Sequence, residues 1–368
     1  MKISSDVVII GGGIAGITTA YFLGKLGVKS TVIEKDDIGI HASGLAYGGI
    51  GTGLITGGPT GPIIAEGARL HRQFAESLPE QTGINFDFRE RPSLLLAFTN
   101  DEATTAKNSI PKNPQDGHLI QWLEQHEAKS IEPRISSAAL GGVYTSCGAE
   151  LEPYRLMLAL AQAAERLGAN ISYGEVTNLI KRNGRVVGVK LGDDEISCGH
   201  VVVAMGPWSG KASTWLNVTI PIRPLKGQIL RLRATGQPYL CSIGWRSNYA
   251  GTKADGLVWT GSTEEDVGFD QTATNKAREE IISSATKMLP SLKGSQVIRQ
   301  TACLRPMSPD KLLIIGQIES CPGVYIATGG GRSGISLGPA IGRITADLIT
   351  TGSTDIPISA FDPGRFDV

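Results

Sequence analysis

The sequence has no excess of charge, no cysteine pairs and no long hydrophobic run. Lysine plus arginine and aspartate plus glutamate each total 35 among 368 residues, and a neutral chain lacks the basic footprint of nucleic-acid-binding proteins. The five cysteines form no CxxC pair, which argues against a disulfide framework or an iron–sulfur site and fits a reducing compartment. The five histidines show no metal-ligand spacing. Since no segment reaches the ~18 apolar residues of a membrane span, we expect a cytoplasmic protein without a bound metal or a transmembrane segment.

Glycine, by contrast, is abundant. The chain contains 47 glycines, well above the usual share of ~7%. They lack the collagen period and cluster at 11–16, 48–58 and 329–334, which indicates backbone brought close to a bound ligand. Hydrophobic residues make up 41% and charged residues 19%, so the chain is globular rather than disordered. Its length predicts two or three domains.

The N-terminal residues predict a βαβ unit that binds a dinucleotide. Val7–Ile10 is a β-branched run, typical of a strand buried on both faces. It continues into Gly11-Gly12-Gly13-Ile14-Ala15-Gly16, which matches GxGxxG. A helical stretch follows to about Leu26, and the next strand is predicted at Ser30–Ile33, directly before Glu34. A glycine motif between two such strands, followed by an acid at this distance, is much more specific than the motif alone.

Each part of this unit has a physical role. Gly11 permits the tight turn, Gly13 lets the backbone approach a pyrophosphate, and Gly16 lets the helix pack close to the strand. The N-terminus of the helix offers N–H groups and the positive end of its dipole to phosphates. Glu34 can accept hydrogen bonds from ribose hydroxyls, and its charge would repel the 2′-phosphate of NADP.

The residues after Glu34 do not continue as a plain NAD-binding domain would. Lys35 leads to His41-Ala42-Ser43-Gly44 and then to a glycine-rich stretch at 44–61. This arrangement resembles the FAD-dependent D-amino-acid oxidase superfamily, and within it the glycine oxidase and sarcosine oxidase-like branch and DadA-like FAD-dependent oxidoreductases. That family places an Ala-Ser-Gly type turn here and a Gly-Gly pair after it, which Ala42-Ser43-Gly44 and Gly48-Gly49-Ile50 match.

The resemblance extends along nearly the whole chain. Matching features are a helix after Glu152-Pro153, a hairpin around Asn183-Gly184, the run Cys303-Leu304-Arg305-Pro306, and a glycine-rich segment before the last helix. The resemblance implies an α/β protein, α+β overall, with two domains. A discontinuous Rossmann-like FAD-binding domain of the glutathione-reductase type is expected at 1–84, 145–222 and 300–368. An antiparallel-sheet substrate domain is expected at 85–144 and 223–299, with helices around Gln121-Trp122-Leu123-Glu124 and over 265–290.

The same resemblance implies FAD as the cofactor and identifies candidate residues for it. The segment that opens the last helix is expected to stabilise the charge of a reduced flavin. The full set of expected cofactor-binding residues is Gly11, Gly13, Ile14, Ala15, Gly16, Glu34, Lys35, His41, Ala42, Ser43, Gly48, Gly49, Val176, Gly206, Gly330, Gly331, Arg332, Ser333, Gly334, Ile335 and Ser336.

His41 has a second interpretation. Some relatives that act on N-methylated glycines carry a His-Ala-Ala-Gly run whose histidine is covalently bonded to the flavin, and His41-Ala42-Ser43-Gly44 resembles that run. We favour a non-covalent histidine near the cofactor and keep the covalent bond as the alternative.

The resemblance also implies how a substrate is held. The family oxidises the Cα–H of an amino acid or N-alkyl amino acid by hydride transfer to flavin N5, so the protein must fix the substrate carboxylate. Arg305 is the first candidate, because a guanidinium binds both carboxylate oxygens. Tyr249 and Arg332 are the second and third candidates. Glu264 is expected either to select a basic substrate or, preferably, to be a solvated loop carboxylate. Lys226 is expected to steer oxygen chemistry or, more simply, to lie in a domain-linking turn.

Three functions remain open from the sequence. The first is an FAD-dependent oxidase that converts glycine, sarcosine, a D-amino acid or a cyclic imino acid to an imine and then a keto acid, with O₂ as acceptor. The second is a dye-linked amino-acid, opine or hydroxyproline dehydrogenase subunit that passes electrons to a partner protein. The third is a binding protein that keeps the dinucleotide fold without redox chemistry. The oligomeric state stays open in all three.

Overall fold

The computed structural model describes residues 3–51, 58–111 and 119–366. Within these ranges the chain forms nineteen strands and nine α-helices. The strands are β1 (Ile3–Ile10), β2 (Ser30–Glu34), β3 (Gly49–Ile50), β4 (Arg89–Glu90), β5 (Ser93–Ala97), β6 (Ile120–Glu124), β7 (Gly141–Thr145), β8 (Ala149–Glu150), β9 (Asn170–Tyr173), β10 (Val176–Arg182), β11 (Arg185–Leu191), β12 (Asp194–Val203), β13 (Arg223–Arg233), β14 (Ser242–Trp245), β15 (Asn248–Thr252), β16 (Val258–Gly261), β17 (Gln296–Met307), β18 (Ile314–Gln317) and β19 (Val324–Thr328). The helices are α1 (Ile14–Lys25), α2 (Ala42–Leu45), α3 (Gly61–Thr82), α4 (Asn100–Asn108), α5 (Gln125–Ile131), α6 (Pro153–Arg166), α7 (Ser213–Leu216), α8 (Asn275–Met288) and α9 (Gly334–Thr351).

The first sheet contains the predicted βαβ unit. β1 lies between β2 and β12, with β9 beyond β2 and β19 beyond β12, and all five strands run parallel. The hairpin β10–β11 and the strand β18 add antiparallel partners. The pairings Ile10 with Ile33, Ile10 with Val203, and Val203 with Ile326 bring the carboxyl ends of four strands to one edge. In open sheets of this kind, ligands bind at that edge.

The first and last helices lock the two ends of the chain together. α1 and α9 pack face to face because two α9 glycines leave room for α1. A Cβ at Gly338 would lie 2.2 Å from Ile14 Cγ1, and one at Gly342 would lie 2.2 Å from Thr18 Oγ1. The Thr18 hydroxyl also donates to the Gly338 carbonyl at 2.9 Å. The glycine-rich segments that precede α1 and α9 are therefore held side by side.

The second sheet has eight strands in the order β17-β13-β16-β15-β14-β5-β7-β6. It is antiparallel except for the parallel pair β14–β5. Its core packs against helices α5 and α8 and includes Leu94, Leu230 and Ile281. A third, small sheet has the order β3-β8-β4. The mixed α/β fold class is confirmed, and the domain boundaries stay a prediction. Strand β17 of the second sheet runs past residue 300, where the FAD-binding domain was expected to resume.

One local prediction was wrong, and a second identified a helix that exists but starts later than expected. Gln121-Trp122-Leu123-Glu124 belongs to strand β6, not to a helix, because pairing with β7 overrides the local pattern. The helix starts only at Gln125, after Glu124 forms a capping box with Glu127. In the 265–290 segment the helix begins at Asn275, where the Thr274 hydroxyl caps it. Residues 265–274 are not helical, since Glu265 pairs with Lys226 of β13.

No helix among the residues described is both long enough and apolar enough to cross a membrane. The cytoplasmic location stays a prediction. Residues 52–57 of the glycine-rich cluster at 48–58 lie outside the described residues.

Candidate functional site

A cavity of about 410 Å³ lies at the carboxyl edge of the first sheet and reaches the second sheet, within the usual size range of ligand pockets. It is lined by segments from both ends of the chain, as predicted. Every expected cofactor-binding residue except Gly16 lines it, and so do Tyr249 and Arg305. Gly16 lies beneath the turn instead, where a Cβ would come within 2.0 Å of the Gly11 carbonyl oxygen. Gly16 therefore allows α1 to pack on the turn.

The glycine turn after β1 requires its glycines and is fixed by Glu34. Gly11 has a φ of +109°, and a Cβ there would lie 2.4 Å from the Ala204 carbonyl oxygen. The buried Glu34 carboxylate accepts hydrogen bonds from the amides of Gly12 at 2.6 Å and Asp36 at 3.0 Å. These two bonds hold the carboxylate at the cavity wall, where its remaining lone pairs can accept from ribose hydroxyls.

The N-terminus of α1 is tied to the loop that follows β2. The Ile14 amide donates to the Ser43 hydroxyl at 2.9 Å, and a Cβ on Gly13 would lie 3.2 Å from the same oxygen. Ser43 therefore supports the helix start and leaves little room for a side chain at position 13. The structure thus places the predicted Ala-Ser-Gly turn directly against the phosphate-binding end of α1.

The residue types around the cavity fit an extended dinucleotide. At Gly206 and Gly334 an added Cβ would meet no protein atom within 4 Å. Both residues line the cavity, so bare backbone faces this space. Gly331, with a φ of +51°, lies in the short turn that leads into α9. Glycine backbone at both helix starts, with an acid at the end of β2, is the arrangement that binds a pyrophosphate and a ribose.

His41 forms a close pair with Asp36. The ring Nε2 lies 2.7 Å from Asp36 Oδ2, and this hydrogen bond holds the pKa of Asp36 below its usual range. The imidazole ring also lies against Trp208, with ring centroids 4.9 Å apart. The mode of flavin attachment stays a prediction.

Arg305 lies on β17 with its guanidinium turned over β13. Nη1 donates to the Thr263 carbonyl at 3.1 Å, and Nη2 donates to the Ser262 hydroxyl at 2.8 Å. Only 12% of the side chain is exposed. Gly227 provides the room, since a Cβ there would lie 2.2 Å from Arg305 Nη2. A mostly buried guanidinium whose two hydrogen-bond partners leave donors free is suited to binding a carboxylate.

Tyr249 is half-buried beside Arg305 and packs against a residue that the sequence analysis missed, Tyr47. The two rings have centroids 4.3 Å apart, and both line the cavity. Burial raises the pKa of the Tyr249 hydroxyl, so it remains protonated and able to donate. The Tyr47 hydroxyl donates to Glu150 at 3.1 Å and contacts the Ser242 hydroxyl at 3.2 Å. Its place directly before Gly48-Gly49 was the signal that could have identified it.

Behind Tyr47 lies a buried cluster of charges, which was also missed. Glu150 is 2% exposed and accepts hydrogen bonds from Arg89 and Arg91. Burial acts to raise its pKa, but the nearby cations hold it below the usual range. Lys253 donates to the Leu151 carbonyl at 2.9 Å, and burial lowers the pKa of its ammonium to about 8. This cluster anchors the Tyr47 hydroxyl from outside the cavity.

Arg332, which lines the cavity, forms an ion pair with Glu264, a contact that the sequence analysis missed. The Arg332 Nε donates to Glu264 Oε1, and the same oxygen lies 3.7 Å from Arg305 Nη1. The hydrogen bond from Arg332 lowers the pKa of Glu264. Glu264 is an exposed residue of a loop, as its preferred interpretation expected, and its carboxylate is paired with Arg332 rather than free to attract a cationic substrate.

Lys226 has neither of its expected roles. It lies within β13 rather than in a linking turn. Its ammonium is buried, donates to Asp270 at 2.9 Å and to the Thr272 carbonyl at 3.2 Å, and is absent from the described residues that line the cavity. Lys226 instead holds the loop before α8 onto the second sheet.

Comparison with known proteins agrees with this geometry. A family model described as DAO, FAD dependent oxidoreductase, matches residues 6–348. The glycine oxidase of Geobacillus kaustophilus (strain HTA426) is 28% identical over 367 residues, covering 98% of this chain and 97% of that protein. The solved structure of glycine oxidase from Geobacillus kaustophilus has a TM-score of 0.94 at 26% identity and covers 99% of both chains.

Two further solved structures have different activities in their descriptions. The L-proline dehydrogenase of P. horikoshii has a TM-score of 0.91 at 28% identity and covers 100% of this chain and 99% of its own. The iminodiacetate oxidase of Chelativorans sp. BNC1 has a TM-score of 0.88 at 25% identity and covers 97% and 98%. The prediction of a flavoenzyme is confirmed, and the alternative of a non-redox binding protein is set aside. The chain belongs to the DAO family of FAD dependent oxidoreductases, and its cofactor is FAD.

Proposed function

We propose that the protein oxidises the Cα–N bond of a small amino acid or N-alkyl amino acid, giving an imine that water hydrolyses to a keto acid, with O₂ as electron acceptor. Glycine, N-methylglycine, a D-amino acid or a cyclic imino acid fits this class. The similarity to glycine oxidase and iminodiacetate oxidase supports an amino-acid substrate and an oxygen acceptor.

One observation carries the proposal. The Arg305 guanidinium lines the same cavity as the glycine-rich segments at both ends of the chain. An amino acid oxidised by a flavin needs its carboxylate fixed while its Cα faces the ring. A guanidinium at the cavity wall, itself held by Thr263 and Ser262, meets this need.

The other chain residues complete the binding geometry. When bound, FAD supplies a two-electron acceptor for the hydride that leaves the substrate carbon. Tyr249, whose hydroxyl stays protonated, can donate a second hydrogen bond to the carboxylate that Arg305 holds. Its ring is supported by Tyr47. No side-chain base is needed, because the neutral amine of the substrate can expel the hydride by itself.

The experiment is anaerobic flavin reduction by a panel of amino and imino acids. Arg305→Ala is expected to raise the substrate KM at least about 30-fold, since losing one member of a buried charged pair costs roughly 2 kcal/mol or more. Arg299→Ala, on the same strand but away from the cavity, is the control. FAD content, read from the visible absorbance, is expected to match wild type in both variants. If Arg305→Ala is reduced as readily as wild type, the carboxylate is held elsewhere.

A dehydrogenase that passes electrons to a partner protein is the second candidate function. The similarity to L-proline dehydrogenase over the whole chain favours it. Peroxide measured during aerobic turnover by the isolated chain separates the two. Stoichiometric peroxide supports the oxidase, whereas turnover only with an added dye supports the dehydrogenase.

A further inference from the structure

Glu264 shares its charge between the two arginines of the cavity. One carboxylate oxygen accepts from Arg332 Nε and lies 3.7 Å from Arg305 Nη1. The Glu264 side chain is 34% exposed, between the half-exposed Arg332 and the mostly buried Arg305. The carboxylate thus lies between the two guanidiniums that a substrate anion would otherwise meet.

The two cavity arginines and Glu264 together carry one positive unit of charge, and the ammonium of Lys311, which does not line the cavity, also helps to lower the pKa of Glu264. Two guanidiniums and one carboxylate form the cluster. Three neighbours of this cluster also line the cavity and have uncharged side chains: Tyr249, Ser262 and Cys303. Burial raises the pKa of the Tyr249 phenol and of the Cys303 thiol, so both stay protonated. A single substrate carboxylate balances this charge. A second carboxylate would approach Arg332 only by displacing Glu264 or by lying against its like charge.

We propose that Glu264 is a specificity-determining residue that, by neutralising Arg332, restricts the site to substrates with one carboxylate and excludes dicarboxylic amino acids. This inference rests on the proposed function, because it assumes that Arg305 holds a substrate carboxylate. Glu264 acts through Arg332 and is a positioning residue, not a catalytic one. Discrimination by a built-in repulsive charge is a common route to specificity.

The geometry distinguishes this role from attraction of a basic substrate. A carboxylate that selects a cation needs an uncompensated charge facing the ligand. Glu264 is already paired with Arg332 and close to Arg305. Both arginines are among the described residues that line the cavity, whereas Glu264 is not. Glu264 therefore sets the charge that the arginines present rather than contacting the ligand itself.

The first test measures binding without turnover. Acetate and malonate are titrated into the holoenzyme, and the change in the flavin absorbance spectrum gives a Kd for each. Glu264→Gln is expected to improve malonate binding relative to acetate about fivefold, which corresponds to the ~1 kcal/mol of a partly exposed charge pair. Glu264→Asp keeps the charge and should keep the wild-type ratio. Glu280→Gln, an exposed glutamate on α8, is the folding control.

The second test uses turnover of two matched probes. N-methylglycine and iminodiacetate share one skeleton and differ by a carboxylate. The kcat/KM ratio of iminodiacetate to N-methylglycine should rise about fivefold in Glu264→Gln. An unchanged ratio in both tests, or a selective loss of lysine or arginine as substrates, would overturn the inference while leaving the proposed function intact. If the wild-type flavin is reduced by no amino acid although acetate binds, the proposed function fails instead.

Discussion

Gly227→Ala tests whether the position of Arg305 controls the reaction. The added Cβ would lie 2.2 Å from Arg305 Nη2 and 2.4 Å from Cζ, whereas carbon contacts need about 3.5 Å. The guanidinium must therefore move by roughly 1 Å, and its hydrogen bonds to Thr263 and Ser262 must stretch or break. A displacement of that size at a group that orients the substrate costs about 100-fold in rate.

The perturbation should be confined to the side chain. The atoms that the new methyl meets belong to the flexible end of Arg305, not to backbone, so the thermal midpoint and the FAD content should stay close to wild type. We expect kcat/KM for an amino-acid substrate to fall about 100-fold. Gly199→Ala is the control, because a Cβ in that β12 position meets only the Asp6 carbonyl oxygen at 3.4 Å.

A double-variant comparison isolates the cause. If the methyl acts through Arg305, adding Gly227→Ala to Arg305→Ala should change kcat/KM no further, because the group that it displaces is gone. A Gly227→Ala enzyme with wild-type kcat/KM would refute the reasoning. So would a further 100-fold loss in the Arg305→Ala background.

Two further predictions concern the buried charges behind the cavity. Tyr47→Phe removes the hydrogen bond to the Glu150 carboxylate and should lower the free energy of unfolding, measured by urea denaturation, by about 1.5–3 kcal/mol. The control variant Tyr173→Phe changes an exposed tyrosine and should change this free energy little. Equal stability of the two variants would contradict the role of Tyr47. Burial lowers the pKa of Lys253 from 10.5 to about 8. Between these pH values the unfolded chain therefore binds more protons than the folded chain, and the contribution of Lys253 to the free energy of unfolding rises with pH. We therefore expect the difference in unfolding free energy between wild type and Lys253→Met to rise by roughly 3 kcal/mol from pH 8 to 10.5. A difference that does not change with pH would show that the pKa of Lys253 is not lowered.

Local patterns were enough to predict the glycine turn after β1 and Glu34, whereas the other cofactor-binding candidates came from the resemblance to the family. Gly11 adopts its positive φ within a turn of a few residues, and Glu34 ends β2, so both could be recognised from short stretches of sequence. The parallel register then brings such strand ends to one edge without further information. The failures were equally local in origin: Gln121–Glu124 suits a short strand or a helix, and only its pairing with β7 decides between them.

The sequence by itself determined the βαβ unit and its glycine turn, because these follow from residue type and short-range spacing, whereas the choice of FAD and of Arg305 as carboxylate ligand came from the resemblance to a known family. Only the tertiary structure decided what surrounds that arginine. The Arg305 guanidinium lies over Gly227, the register partner of Cys303, because β13 pairs with β17. Glu264 meets Arg332 across 68 residues of chain, and Tyr47 reaches Glu150 across 103. Such contacts depend on how distant segments pack, and no local pattern of charge or hydrophobicity encodes them.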